Sequence, residues 1–354
     1  MQKNPYNLIE PAALIQHFLR HPPEGFPVLK IGGVPAFETR FNLLTTMAPD
    51  DRRKLERLPF YRWQQQQWLK PRTCFIGATV SEYGLLPAST TPDHFLASIL
   101  AAAADYPFLI VKDLPTQSVL VGEPARVHSQ AFMDAAQSSG FFVIEGQALA
   151  YVPIDFTSIE EFLARMPKSR RKDIKRKTRE NPALVIGQIP TGDAQFDDEN
   201  LLAEYYALYR QVYEQSETRF DLLSPGFFRA VLQDESCGGM VFTYRVEGKL
   251  IGYNLCFVHG GMLLDKYVGF AYPASREHNL YFVSWISNLR YALEKGLRYY
   301  VAGWTDPEIK RHLGASFTFT RHAVYIRNPV LRWALRPFKR FFESDSQWHE
   351  TAHS

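Results

Sequence analysis

The residues best placed for chemistry fall in the second half of this sequence. The run Met262 to Phe270 reads as a strand. Its alternation puts Leu263, Asp265, Tyr267 and Gly269 on one face. A carboxylate and a phenol together in a central strand are costly to bury without partners. They suit proton transfer, with Asp265 as a base and Tyr267 or Tyr300 as a donor. The alternative is a structural carboxylate paired with Lys266, Lys310 or an arginine. Trp304, Asp306 and Lys310 follow the strand Leu297 to Ala302, and strand ends in open α/β sheets commonly face a ligand crevice. Lys310 there holds a phosphate or a substrate carboxylate, or else lies on a helix surface.

The segment Arg276-Glu277-His278-Asn279-Leu280-Tyr281 opens a helix. The free N–H groups and positive dipole end of a helix can seat a phosphate. Asn279 reads as its cap, and Arg276 can add a charge-assisted bond. His278 can serve as a base at neutral pH. The plainer alternative is a capped helix with a surface arginine.

The densest charge is the run Lys168, Arg170, Arg171, Lys172, Lys175, Arg176, Lys177 and Arg179, with Asp173 the only acid inside it. A solvated helix face explains most such runs. Here nearly every side is basic, which suits a polyanion such as tRNA, an acyl carrier protein or anionic lipid. The tail from Pro329 to Phe342 is basic and amphipathic, disturbed by Pro337. It reads as a helix docked on the protein's own body, or as a contact with an anionic membrane or a partner.

Other chemistries are excluded by pattern. No HExxH, no Cys/His spacing and no DxDxDG loop occurs, so no metal site is expected. GxxxxGK[ST] and GxSxG are also absent, against a P-loop enzyme or an α/β-hydrolase. Three distant cysteines make no disulfide framework and fit a reducing, cytoplasmic setting, with a peripheral membrane contact by the tail as an addition. Residues 1–20 lack the apolar stretch of a secretory signal. A net charge of +3 does not indicate a DNA-binding protein.

The elements that must position these residues follow from local pattern. The 354 residues, 46% apolar and 22% charged, suit two folded domains. Ser158 to Arg179 is helical and divided by Pro167. Ser224–Pro225 caps and starts a helix. Strands Gly239 to Val246, Lys249 to His259 and Met262 to Phe270 are joined by turns at Glu247–Gly248 and Gly260–Gly261. A helix from Asn279 to Lys295, a strand Leu297 to Ala302, a short helix Asp306 to Leu313 and a strand Phe317 to Arg327 complete the half. The first half repeats the order of a hairpin (Phe26 to Leu43), a strand (Thr73 to Tyr83), a helix, a strand, a helix and a strand (Phe141 to Val152). The repeat reads as a duplication.

With these elements in place, residues 159–320 resemble the GNAT superfamily of acyltransferases, and more narrowly its Fem-like branch, which carries two GNAT-like units in one chain. The resemblance rests on the basic helix after Phe162-Leu163 and on Gly248-Lys249-Leu250-Ile251-Gly252-Tyr253. It also rests on Tyr267 and Gly269, Asn279-Leu280-Tyr281-Phe282, Ala292 to Gly296, and Asp306, Lys310 and Gly314. The segment at Arg276 departs from the usual pyrophosphate pattern, because Asn279 and Tyr281 stand where small residues are expected.

The resemblance implies a mixed α/β fold of two GNAT-like units side by side. They span 1–155 and 156–328, with a tail of 329–354. It implies an N-acyltransferase that moves an acyl group from a thioester to the amine of a small metabolite or cell-envelope precursor. Acyl-CoA is then a co-substrate, and no cofactor is tightly bound. Asp265, Tyr267 and Tyr300 are the expected catalytic residues. Arg276, His278, Asn279, Leu280 and Lys310 are expected to touch the donor. Tyr253, Asn254, Trp304 and Asp306 are expected to touch the acceptor. Direct attack is expected, because Cys256 reads as core. Two other readings stand beside it: Fem-type transfer from aminoacyl-tRNA, and a non-catalytic protein that recognises glycan or lipid precursors.

Overall fold

The computed structural model describes residues 5–40, 71–179, 181–216 and 219–335. Their elements in chain order are α1 (Ala12–Arg20), β1 (Val28–Ile31), β2 (Val34–Arg40), β3 (Arg72–Ile76), α2 (Pro92–Ala102), β4 (Phe108–Pro115), α3 (Glu123–Ser138) and β5 (Phe142–Pro153). Next come α4 (Ile159–Ala164), α5 (Lys168–Lys177), β6 (Leu184–Pro190), α6 (Glu199–Gln215), α7 (Pro225–Leu232), β7 (Gly239–Val246), β8 (Lys249–His259) and β9 (Met262–Phe270). The last are α8 (Ala274–Glu277), α9 (Leu280–Glu294), β10 (Tyr299–Gly303), α10 (Pro307–His312), β11 (Ser316–Ile326) and α11 (Pro329–Leu335).

Local chemistry accounts for many boundaries. Ser224 Oγ accepts the Phe227 N–H at 3.3 Å and Pro225 fills the first turn of α7. Pro167 stands between α4 and α5 because it cannot continue a helical ladder. Glu247 and Gly248 both have positive φ, 50° and 78°, as a two-residue hairpin turn needs. β3 stops at Ile76, short of the expected Tyr83, because Gly77 takes φ 131° and leaves the strand geometry.

The chain forms two compact units, each built from separated stretches. Of the described residues, the first takes 5–9, 25–40, 71–148 and 318–335, and the second takes the rest. The linear division at 155/156 and 328/329 is thereby corrected. Two strand pairings are the reason. β11 pairs antiparallel with β4, so the last strand of the second half belongs to the first unit. The end of β5 pairs antiparallel with β10 through Ala150 to Pro153, so residues 149–153, the end of the last strand of the first half, belong to the second unit. In addition, α1 packs on α7 in the second unit.

Within the first unit the order β1-β2-β3-β4-β11 is antiparallel except for β3 with β4. Within the second unit the order β5-β10-β9-β8-β7-β6 is antiparallel except for β10 with β9. Both units are mixed α/β. The core of the second unit sets Phe242, Tyr244 and Leu263 against Leu280, Trp285 and Leu289 of α9. Among the described residues no helix is long and apolar enough to cross a membrane. The expected amphipathic tail is described only to residue 335, and Phe338, Lys339 and Arg340 lie outside the described residues.

Candidate functional site

The site lies in the second unit, where two parallel strands part. β9 and β10 pair at Met262–Tyr299, Leu263–Tyr300 and Leu264–Val301, and the paired register ends there. Each strand is irregular just beyond. In β9, Leu255 of β8 opposes Tyr267 and Cys256 opposes Asp265, so Lys266 is an extra residue. In β10 the register with β5 shifts between Val301 and Gly303, and Gly303 has φ 79°. A Cβ on Gly303 would stand 3.9 Å from both the Asp265 carbonyl oxygen and Lys310 Nζ. Lys310 is 4% exposed, so an ammonium is buried beside this gap.

Asp265 sits at the parting. Asn254 Nδ2 donates to both its oxygens, at 3.0 and 2.9 Å. Asn288 Nδ2 and the Tyr300 hydroxyl each donate to Oδ2 at 2.9 Å. The Cys256 thiol reaches Oδ1 at 3.5 Å. A carboxylate offers about four acceptor positions, and here they are all taken. Burial raises the Asp265 pKa above its usual value, opposed by the donors Asn254, Tyr300 and Cys256 and by the Lys310 charge. Burial, with the Asp265 charge beside it, also pushes the Cys256 thiol and the Tyr300 phenol well up. Trp285 packs edge-on against Tyr300 at 5.1 Å.

The bulge at Lys266 overturns the expected alternation. An extra residue shifts every later side chain to the other face. Asp265 therefore faces α9, while Tyr267 packs against Phe227 and Phe228 of α7, ring centroids 5.8 and 5.6 Å away. Tyr253 stays with Tyr267 on that face, its ring 4.8 Å from that of Tyr205. Both tyrosines are thus on the face opposite Asp265, away from the roles expected of them. Asn254 and Tyr300 do join Asp265.

The expected phosphate loop is also differently made. Arg276 donates to Gln215 Oε1 at 2.8 Å and its guanidinium lies over the Tyr272 ring at 5.0 Å. Asn279 is in the left-handed region, φ 51°, and its side chain makes no cap hydrogen bond. His278 Nδ1 meets Asn181 Nδ2 at 2.9 Å. Leu280 is fully buried in the core. Asp306, exposed and also left-handed, starts α10 without a side-chain cap bond, while its carbonyl accepts the Lys310 N–H at 3.2 Å. Trp304 is half-buried in the preceding turn.

The basic helix α5 divides by face. Arg170 Nη1 donates to the Arg311 carbonyl at 3.3 Å, and Asp173 bonds Arg176, Lys177 and His312. Lys177 Nζ lies 3.9 Å from the Phe282 ring centroid. Lys168, Lys172 and Lys175 are exposed at helical spacing. A cationic stripe is thus carried by a helix fastened through Asp173 and Arg170 to α10, which bears Lys310.

Three contributors were missed in the sequence. Asn288 interrupts the apolar stripe of Trp285, Leu289 and Ala292, a signal that was available. In the sequence Cys256 reads only as core. Gly303 had no signal, since its meaning depends on where β9 and β10 part.

The FemAB_like family, described as peptidoglycan biosynthesis/recognition, matches residues 112–352. No curated protein matches the chain. Among solved structures, one similar chain is the C-terminal domain of a protein assigned as a lysylphosphatidylglycerol synthetase, from Agrobacterium fabrum. It is 12% identical with a TM-score of 0.55, over 94% of this chain and 91% of that one. Another is FemX, 12% identical with a TM-score of 0.52, over 94% of this chain and 95% of that one. At such identity the likeness is one of fold.

Proposed function

The chain belongs to the FemAB-like family, and from that premise we propose that it transfers an aminoacyl group from a charged tRNA to an amine of a cell-envelope precursor. The observation that carries this reading is the buried Lys310 ammonium, countered by Asp265, on a helix bonded to the one bearing the Lys168, Lys172 and Lys175 stripe. The stripe suits the phosphates of an RNA, and the buried cation suits charge developing on a carbonyl oxygen. The departure at Arg276 and Asn279 favours this donor over acyl-CoA, because neither side chain is arranged as a pyrophosphate cradle. One structural relative is by its name a synthetase of lysylphosphatidylglycerol, a lipid carrying an aminoacyl group.

In this reading the acceptor nitrogen attacks the ester carbonyl carbon. The C–N bond forms, the negative charge on the carbonyl oxygen faces Lys310, and the C–O bond to the tRNA hydroxyl breaks. The amine gives up one proton and the leaving alkoxide takes one, so none is gained or lost. Asp265, with its acceptor positions filled, serves as counter-charge to Lys310 and as an anchor for Tyr300, rather than as the base. Oδ1 of Asn254 and Oδ1 of Asn288 are buried acceptors without a hydrogen-bond partner, and they suit the N–H groups of an amine.

The test is transfer of a labelled amino acid from aminoacyl-tRNA to an amine-bearing peptidoglycan precursor, beside a parallel assay with acyl-CoA. Transfer from the tRNA, with affinity falling steeply in salt and less steeply after Lys168, Lys172 and Lys175 are replaced by Gln, is expected. Transfer from acyl-CoA alone would replace the donor. Precursor binding without transfer from either would mean a recognition protein.

A further inference from the structure

No metal-ligand spacing exists along the sequence, yet folding brings three ligand types together in the second unit. We propose that His17, Asp234 and Cys237 supply three ligands to a divalent transition-metal ion, with water at the fourth position, zinc being the best match to the donors. His17 Nε2 lies 2.7 Å from Asp234 Oδ2, and Cys237 Sγ lies 3.4 Å from the same oxygen. All three ligand atoms are within 4.8 Å of one another. Tetrahedral zinc with ordinary bond lengths separates nitrogen from oxygen by about 3.3 Å, and either from sulfur by about 3.6 Å. The two contacts to Asp234 Oδ2 therefore lie within about 0.6 Å of the required spacings. One nitrogen, one oxygen and one sulfur are borderline ligands that suit zinc and not calcium or magnesium.

The site is built from its surroundings. Asp234 starts the turn Glu235–Cys237, and its Oδ1 accepts from Ser236 N at 2.9 Å and Ser236 Oγ at 2.6 Å. Those bonds fix the carboxylate and leave Oδ2 for His17 and Cys237. Gly238, at φ 59°, turns the chain away and leaves the sulfur inside, fully buried. His17 is 8% exposed on the inner face of α1. The three residues come from segments 217 positions apart, so the ion would clamp α1 to the end of α7. Binding takes one proton from Sγ of Cys237 and requires Nε2 of His17 to present its lone pair to the ion.

The clamp has a consequence for the reacting region. Glu10, just before α1, pairs with Lys266 at 3.6 Å, and both side chains are nearly or fully buried. Lys266 is the bulge residue beside Asp265, so a metal that fixes α1 also fixes the partner of the bulge.

The experiment uses the full chain, reduced and chelator-treated, titrated with cobalt(II). One equivalent should give a thiolate-to-cobalt charge-transfer band that zinc removes. The band should vanish in Cys237→Ser and persist in Cys74→Ser. Absence of the band in the wild type, or its survival in Cys237→Ser, would overturn the proposal. Should Cys237→Ser not fold, Asp234→Asn replaces it. A tenfold or greater loss of cobalt affinity is then expected, and unchanged affinity would reject the site.

Discussion

Replacing Tyr300 with Phe removes one hydroxyl from the Asp265 network and leaves the ring against Trp285. The hydroxyl donates to Asp265 Oδ2 at 2.9 Å and accepts from Asn288 at 3.3 Å, while Asn288 keeps its own 2.9 Å bond to the carboxylate. The principal loss is thus one hydrogen bond to a charged group, worth about 1.5–3 kcal/mol. That value belongs to the ionised carboxylate. Once Asp265 is protonated, the bond is between neutral groups and is worth about 0.5–1.5 kcal/mol. The folded pKa of Asp265 is raised, so between its usual value and the raised one the native state holds more protons than the unfolded chain. Stability from this group therefore falls as pH rises through that window. Loss of the Tyr300 donor raises the folded pKa further and extends the window upward. Urea unfolding of wild type and Tyr300→Phe at stepped pH should show a gap that is largest above the window and shrinks on acidification, with equal slopes against urea. A pH-independent gap, or one under about 0.5 kcal/mol throughout, would refute the network. So would a gap of the same pH dependence in Tyr267→Phe, since that hydroxyl is across the sheet.

Three further outcomes are expected. Lys310→Met should lower kcat by about 10²–10³ with little change in tRNA affinity, as for loss of an oxyanion donor; an unchanged kcat would move the chemistry elsewhere. Cys256→Ser should keep turnover within a few-fold, because its thiol is held protonated at neutral pH beside Asp265. Trapping of an acyl-enzyme on Cys256 by mass spectrometry would instead mean a covalent route. Lys266→Met alone should destabilise by about 3–5 kcal/mol, leaving the Glu10 carboxylate buried without this partner, and the double variant with Glu10→Gln should recover part of that in denaturant titration.

Features that depend on neighbours along the chain are legible in the sequence. Ser224–Pro225 and Glu247–Gly248 specify a helix start and a hairpin wherever they stand, so β7, β8 and the start of α7 fall where local chemistry puts them. Residues 159–320 also carried the family resemblance, which the FemAB-like match bears out. Asp265 was legible as a polar group that a predicted strand must partner, while the bonds of Asn254 and Tyr300 to it were not, since each was expected to face a substrate or a leaving group. Tertiary structure decided what depends on register and on distant pairings. One extra residue at Lys266 reversed the faces of Tyr267 and Gly269, and nothing local announces a bulge that is defined only by the facing strand. β11 and the end of β5 set the unit boundaries, because they find partners far along the chain. His17 meets Asp234 and Cys237 for the same reason: spacing in sequence carries no information about ligands that only the packing of α1 on α7 brings within reach.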